Sequence, residues 1–74
     1  MSYSLTKLKS KKTGDVFYDY TNDSCDTHNL YSEDLNDVSS FRFDEWFEQE
    51  LLFQHEKMSK EEHDKIYNLI KNKD

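Results

Sequence analysis

The segment DSCDTH contains the side chains of this sequence that are best suited to metal chemistry. Cys25 and His28 have the C-x-x-H spacing of a pair of zinc ligands, and two aspartates lie beside them. His55 and His63 would have to complete a tetrahedral site, but they are predicted to lie on two different helices. Strong zinc sequences contain two close pairs of ligands, and this one contains a single pair. We therefore predict no metal, and metal-dependent regulation through Cys25 and His28 is the least favoured alternative.

Other kinds of catalytic site are not indicated either. One glycine in 74 residues excludes a glycine-rich phosphate-binding loop. A nucleophilic pair of Cys25 with a histidine would lack a third, orienting group, and no two carboxylates are distinguished from the rest as acid and base. A chain of this length also leaves little volume for a pocket that encloses a substrate. We predict that the protein is not an enzyme and uses no cofactor.

Length and composition predict one small folded domain over residues 1–74. Only 34% of the residues are hydrophobic and 35% are charged, but five Phe, five Tyr and one Trp can bury a large area in a small core. A single cysteine excludes an internal disulfide and favours a reducing compartment. The longest apolar run, Leu51–Phe53, is too short for a membrane span or a signal-peptide core. We expect a cytoplasmic protein without membrane contacts.

The net charge of −6 is distributed unevenly along the chain. Residues 1–14 contain four lysines and no acid, whereas residues 15–50 contain eleven acids and only Arg42, a net charge of −10. Residues 51–74 contain five acids and five lysines and are neutral overall. Solubility does not require so much charge of one sign in the middle of a chain. The acids form either a functional face that steers a cationic partner or an ordinary solvated surface.

Residues 2–21 are predicted to form an antiparallel β-hairpin. Its turn is KKTGD, whose glycine can adopt the positive φ needed to close a three-residue loop, and VFYDY is rich in residues that favour strands. This turn pairs Lys11 with Asp15 and therefore Leu8 with Tyr18, and a slip of one residue would exchange the two faces. The face expected to be buried carries Leu8, Val16, Tyr18 and Tyr20.

The remainder of the chain is predicted to contain an acidic loop and two helices. Residues 22–40 are polar and form a long loop, and residues 41–43 are a candidate for a short third strand. Helices are expected over 45–57 and 60–72. Their starts are marked by Asp44 as an N-cap and by Ser59 and Glu62 as a capping box. The predicted fold class is α+β, with the β-hairpin packed against the two C-terminal helices.

The apolar side chains of DEWFEQELLF cover too wide an arc of a helix for a single core stripe. Phe47 and Leu51 share one stripe, and Trp46 and Phe53 lie about 100° to one side of it. In the favoured interpretation the helix is wedged between the sheet and the second helix, because a small core needs every large side chain. In the alternative, Trp46 and Phe53 are an exposed aromatic anchor within a rim of glutamates, as in the hot spots of protein interfaces.

These observations predict a non-enzymatic, acidic protein-binding module. Its carboxylates would dock on a basic surface of another protein, and a nucleic-acid-binding surface would be blocked by such a mimic of phosphates. The lysines of KLKSKK are not expected to bind nucleic acid directly, because the segment with a charge of −10 would repel phosphates. A short chain rich in Lys, Asn, Asp and Tyr suits a bacteriophage or a mobile element. The predicted partner-binding residues are Asp19, Asp23, Asp26, Asp34, Asp37, Asp44, Glu45, Trp46, Glu48, Glu50 and Phe53.

A structural or adaptor subunit that self-associates is the alternative function. Trp46, Phe53 and the edge of the hairpin would then form an apolar contact with a second copy or within a larger assembly. Salt separates the two hypotheses, because steered docking of an acidic surface weakens as ionic strength rises and an apolar contact does not.

Overall fold

The computed structural model of the protein describes residues 3–22 and 27–72. These residues form an α+β fold, as predicted, but with more sheet than one hairpin. The expectation of a single domain over residues 1–74 stays a prediction. Neither helix in the described ranges is long and apolar enough to cross a membrane. The elements in chain order are β1 Tyr3–Ser10, β2 Val16–Asn22, β3 Thr27–Ser32, β4 Asp37–Arg42, α1 Phe43–Glu50, β5 Phe53–Glu56 and α2 Lys60–Lys71.

The five strands form one antiparallel sheet in the order β4-β3-β2-β1-β5, with a helix on each face. Because α1 connects the two edge strands, it crosses one face, where its Trp46 packs with Leu8 of β1 and Leu30 of β3. On the other face, Ile70 of α2 packs with Leu5, as well as with several tyrosines of the sheet. The expected pair of helices on one side of the sheet is therefore wrong, since the helices are separated by the sheet.

The first hairpin is confirmed, but its register differs by one residue from the predicted one. Leu8 pairs with Phe17, and Tyr18 pairs with Lys7. The reason lies in the turn, where the Ser10 N–H donates to the carbonyl of Asp15 (2.8 Å), so that four residues form the loop instead of three. The glycine of this loop has φ +79°.

The register decides which residues share a face of the sheet. Leu5, Tyr18 and Tyr20 belong to the core on the α2 side, whereas Leu8 and Phe17 belong to the core on the α1 side. The predicted grouping of Leu8 with Tyr18 is therefore wrong. The observed register differs from the predicted one by one residue, which places Leu8 in the core on the α1 side instead of in the core with Tyr18. Because both faces of the sheet are covered by a helix, this difference leaves no large side chain of the hairpin exposed.

The predicted acidic loop over residues 22–40 is wrong, because most of it forms a second hairpin of β3 and β4. Its three-residue turn is closed by the Ser32 N–H, which donates to the carbonyl of Asn36 (2.9 Å), and Leu35 has φ +63°. Leu30 and Tyr31 are adjacent and both buried, one on each face. A strand covered on both faces lacks the alternation that marks a half-buried strand, which hid this hairpin in the sequence.

The candidate third strand and the first helix also differ from the prediction. The strand is longer, Asp37–Arg42, and pairs with β3 rather than with the first hairpin. The helix begins at Phe43 and its N-cap is Arg42 rather than Asp44. There the Arg42 N–H donates to the Glu45 carboxylate (3.1 Å).

The predicted helix over residues 45–57 is only partly present, because α1 ends at Glu50. Phe53–Glu56 pair instead with β1 as the edge strand β5. No glycine or proline marks this change, so hydrogen bonding to the open edge of β1 overrides the local helix propensity.

The second helix is confirmed within one residue at its C-terminal end. It spans Lys60–Lys71, and the Ser59 hydroxyl accepts from the backbone N–H of Glu62 (3.1 Å), as expected of an N-cap. The Glu62 carboxylate accepts a hydrogen bond from the Lys7 ammonium (2.9 Å) and so ties α2 to β1.

Candidate functional site: the outer surface of α1

Trp46 attaches α1 to the sheet. Its side chain is only 6% exposed. Its ring is stacked on His28 (centroids 4.6 Å apart, planes at 10°) and lies 5.8 Å from Phe41 and 6.1 Å from Phe53. Trp46 is therefore buried, as the wedge interpretation requires, but the wedge itself is wrong, because α1 lies over the sheet alone and one of its flanks stays exposed.

A buried polar cluster lies beside the Trp46 ring. Asp19 is 5% exposed; one of its carboxylate oxygens is 2.9 Å from His28 Nδ1 and the other accepts from the Thr21 hydroxyl (3.0 Å). The Thr21 hydroxyl is also 3.1 Å from the same Nδ1. In a catalytic triad the carboxylate and the nucleophile contact different nitrogens of the imidazole, whereas here both contact one. The cluster orients the His28 ring for stacking and is not arranged for nucleophilic catalysis.

Burial removes two of the predicted partner-binding residues from the accessible surface. Asp19 and Trp46 are both buried, and Phe53 is half-buried against Phe17 and Trp46. The prediction that these three side chains face a partner is therefore corrected for Asp19 and Trp46. Asp23 and Asp26 lie outside the described residues, as does Cys25.

The remaining predicted carboxylates fall into two groups. Asp34 and Asp37 lie in or next to the turn of the second hairpin, whereas the four acids from Asp44 to Glu50 lie on α1. The length of β4, about 20 Å at the usual rise of a strand, separates the turn from the start of α1. The structure brings together Asp44, Glu45 and Glu48, which are exposed, and Glu50, which is half-buried.

Sequence reasoning missed an exposed apolar stripe next to these carboxylates. Phe43, Phe47 and Leu51 are spaced four residues apart and are 53%, 59% and 73% exposed, and Leu52 beyond them is 57% exposed. The rings of Phe43 and Phe47 are in edge-to-face contact, with centroids 5.1 Å apart. The spacing of Phe47 and Leu51 is visible in the sequence, but the favoured wedge interpretation buries these two side chains together with Trp46. We call these four residues the α1 stripe.

The carboxylates of α1 are not neutralised by the lysines of the first hairpin. Arg42 lies 3.5 Å from Asp44 and 3.4 Å from Glu45, and all three side chains are exposed, so that these contacts are weak. In the described ranges no lysine forms an ion pair with an acid of α1, and the last turn of the helix carries no basic residue. The outer surface of α1 therefore combines negative charge with exposed apolar groups.

Two groups on the opposite face, Lys7 and Tyr18, have clearly shifted pKa values. The hydrogen bond to the Glu62 carboxylate raises the pKa of Lys7. Burial raises the pKa of the Tyr18 phenol. Both groups therefore hold their protons more firmly in the folded protein, and neither belongs to the surface of α1.

In the described ranges no three His, Cys, Asp or Glu side chains are placed to share a metal ion. Because Cys25 lies outside those ranges, the zinc alternative stays a prediction. Comparison with protein-family models, curated proteins and solved structures found no match to this chain.

Proposed function

We propose that the protein is a non-enzymatic binding module that docks through the outer surface of α1 onto a basic surface of another protein. The observation that carries this proposal is the exposed α1 stripe beside carboxylates that form no ion pair with a lysine of residues 3–22 or 27–72. The proposal keeps the acidic docking face expected from the sequence but moves its apolar centre from Trp46 to Phe47.

The α1 stripe supports binding through its area. Phe43, Phe47, Leu51 and Leu52 are each more than half exposed, which amounts to a few hundred Å² of apolar surface. Scattered apolar side chains are normal on a protein surface, but a contiguous patch with a polar rim is typical of an interaction site. Covering the two Phe rings would supply most of the affinity.

The two carboxylates in the second half of α1, Glu48 and Glu50, support binding because their positions do not suit the helix, whereas Asp44 and Glu45 in the first turn do. Asp44 and Glu48 are one turn apart and repel each other. Glu48 and Glu50 lie near the C-terminal end of the helix, where its dipole disfavours negative charge. Glu50 lies 3.5 Å from His55, whereas Glu48 forms no ion pair among the described residues, so Glu48 is the acid that is better explained by a cationic partner.

The kind of partner follows from the sign of this surface. Positively charged surfaces that must stay accessible are common on proteins that bind nucleic acids, since they neutralise phosphates. A docked α1 would occupy such a surface with carboxylates at Asp44, Glu45, Glu48 and Glu50, and would inhibit or modulate nucleic-acid binding. An inhibitor of this kind from a bacteriophage or mobile element is the most specific form of the proposal.

A charge-neutralising triple variant tests the proposal. Glu45→Gln, Glu48→Gln and Glu50→Gln together remove three charges from α1, and glutamine at 45 can still accept from the Arg42 N–H. The matched control is Glu33→Gln, Glu61→Gln and Asp64→Asn, which removes three charges from exposed positions elsewhere.

The measurement starts from a partner captured from a bacterial lysate at low salt and then purified. We expect the α1 triple variant to raise the Kd for that partner about tenfold, and the control to change it less than about twofold. Duplex DNA should compete with the protein for the partner. Equal effects of the two triple variants, or binding that DNA leaves unchanged, would contradict the proposal.

A further inference from the structure

The apolar and acidic groups of α1 lie on adjacent flanks, which restricts what can bind there. At about 100° per residue, Phe43, Phe47 and Leu51 fall within an arc of about 80°. Asp44 and Glu48 follow directly on the side that points furthest from the sheet, since the buried Trp46 marks the opposite direction. A binding partner that covers the stripe therefore meets a column of two carboxylates along one edge.

We infer that this surface binds an amphipathic α-helix of the partner, with aliphatic side chains on the α1 stripe and Lys or Arg side chains along the edge formed by Asp44 and Glu48. The inference rests on the proposed function and adds to it the chemistry of the docked element.

The shape of the stripe favours a helix over other elements. Residues spaced four apart form one ridge of an α-helix, and such ridges pack into the grooves of a second helix. From Phe43 to Leu51 the ridge is about 12 Å long, which matches about two turns of a partner helix. The contacting rings of Phe43 and Phe47 lie at one end of this ridge and Leu51 lies at the other. These side chains fit the groove between successive turns of a partner helix.

The carboxylates argue against a second copy of this chain on the same surface. In a two-fold pair with antiparallel helices, the edge of Asp44 and Glu48 would face itself. With parallel helices, it would face the flank that carries Glu50. Both arrangements bring like charges together, which disfavours self-association and selects a partner of opposite charge.

Three synthetic peptides test the inference directly. The first is a helical peptide of about 18 residues, with leucine on one face and lysine on the other. The second has the same leucine positions with glutamate in place of lysine, and the third has the composition of the first in an order without helical periodicity. Each carries a fluorescent label, and its Kd for the full chain is measured by anisotropy at about 50 mM salt.

We expect the helical leucine–lysine peptide to bind at least about tenfold more tightly than the other two peptides. Phe47→Ser and the pair Asp44→Asn with Glu48→Gln should each weaken this binding about tenfold. The control pair Glu61→Gln with Asp64→Asn on α2 should change it less than about twofold. Circular dichroism of the variants should match that of the parent, because the changed side chains are exposed.

Equal binding of the two leucine–lysine peptides would overturn the inference in favour of unspecific charge attraction. Binding that Phe47→Ser leaves unchanged would also overturn it. A dimer in sedimentation equilibrium that Phe47→Ser dissociates would make a second copy the occupant. A further outcome is that the protein binds the helical leucine–lysine peptide no more tightly than the other two peptides while the α1 triple glutamine variant still loses the basic partner protein. In that case the helix inference fails and the proposed function stands. If the triple variant keeps the partner, the proposed function fails.

Discussion

The two helices of this protein lie on opposite faces of one sheet and differ in what they leave exposed. The α2 helix has three acids and three lysines, an N-cap at Ser59 and a lysine in its last turn. The α1 helix has four acids and no basic residue, and exposes the stripe that begins at Phe43. Each helix has one buried side chain in the core next to it, Ile70 in α2 and Trp46 in α1.

The difference indicates two kinds of constraint on sequence. Both helices have acids in the first turn, but only α2 has a base in the last turn, where it suits the helix dipole. In α1 the anions at its C-terminal end and the exposed rings lower stability or solubility. A helix surface that lowers the stability or solubility of the free protein is the better candidate for a binding surface.

The largest effect is expected from removing the anchor of α1. Trp46→Ala should lower the free energy of unfolding by about 3–5 kcal/mol, because it empties the core formed with Leu8 and Leu30. Urea denaturation measures this change, and Ile70→Ala on the other face should cost about 2–5 kcal/mol. A loss below about 1 kcal/mol for Trp46→Ala would mean that this side chain is exposed and that the partner-facing interpretation was right after all.

A smaller loss is expected from the polar cluster beneath α1. Asp19→Ala removes one hydrogen-bond partner each from His28 and Thr21, which still contact each other, and should cost about 2–3 kcal/mol. Asp15→Ala changes an exposed carboxylate on the neighbouring turn and serves as the control, with an expected change within about 0.5 kcal/mol. Equal losses for the two variants in urea denaturation would contradict the buried position of Asp19.

The pH dependence of stability should come from the α2 face. Because the pKa values of Lys7 and Tyr18 are raised above their ordinary values of 10.5 and 10.0, the unfolded chain loses these protons first as pH rises. Their contribution is complete below about pH 10 and is lost above it. The free energy of unfolding should therefore fall at alkaline pH, and less steeply for Tyr18→Phe than for the parent. An identical slope for both proteins would count against burial of this phenol.

The smallest expected change in the free energy of unfolding comes from a substitution in α1, and this substitution raises stability instead of lowering it. Glu48→Lys replaces the repulsion from Asp44 by an attraction and suits the helix dipole, so it should raise stability by about 0.5 kcal/mol. The same variant should lose the basic partner. On α2, Lys65→Glu should lower stability by a similar amount, because there the charges are already favourable. If Glu48→Lys lowers stability, the acids of α1 are structural and the contrast between the helices disappears.

The sequence predicted the elements whose signals are local. The cap formed by Ser59 and Glu62 located α2, and the glycine of KKTGD located the first turn. The second hairpin and β5 were missed because their strands are recognised by pairing rather than by pattern. Leu30 and Tyr31 face two different cores, and Phe53–Glu56 becomes a strand only because the edge of β1 is open.

The sequence predicted the negative charge of the candidate site but not its exposed apolar side chains. The acids of α1 were identified from their density in the chain, and three of the four are exposed. Trp46 and Phe47 are neighbours of similar hydrophobicity, so nothing in their types says which one is buried. The sheet decided this, because His28 and Phe41 form the surface onto which one of the two rings had to pack.

The sequence alone thus determines the composition, the distribution of charge along the chain and the helix caps, since a cap involves residues within a few positions of each other. The register of the first hairpin, the second hairpin, the strand after α1 and the side of α1 that meets water arise only on folding. Each of them depends on a hydrogen bond or a packing contact between distant segments, whose free energy exceeds the weak preferences of a few consecutive residues.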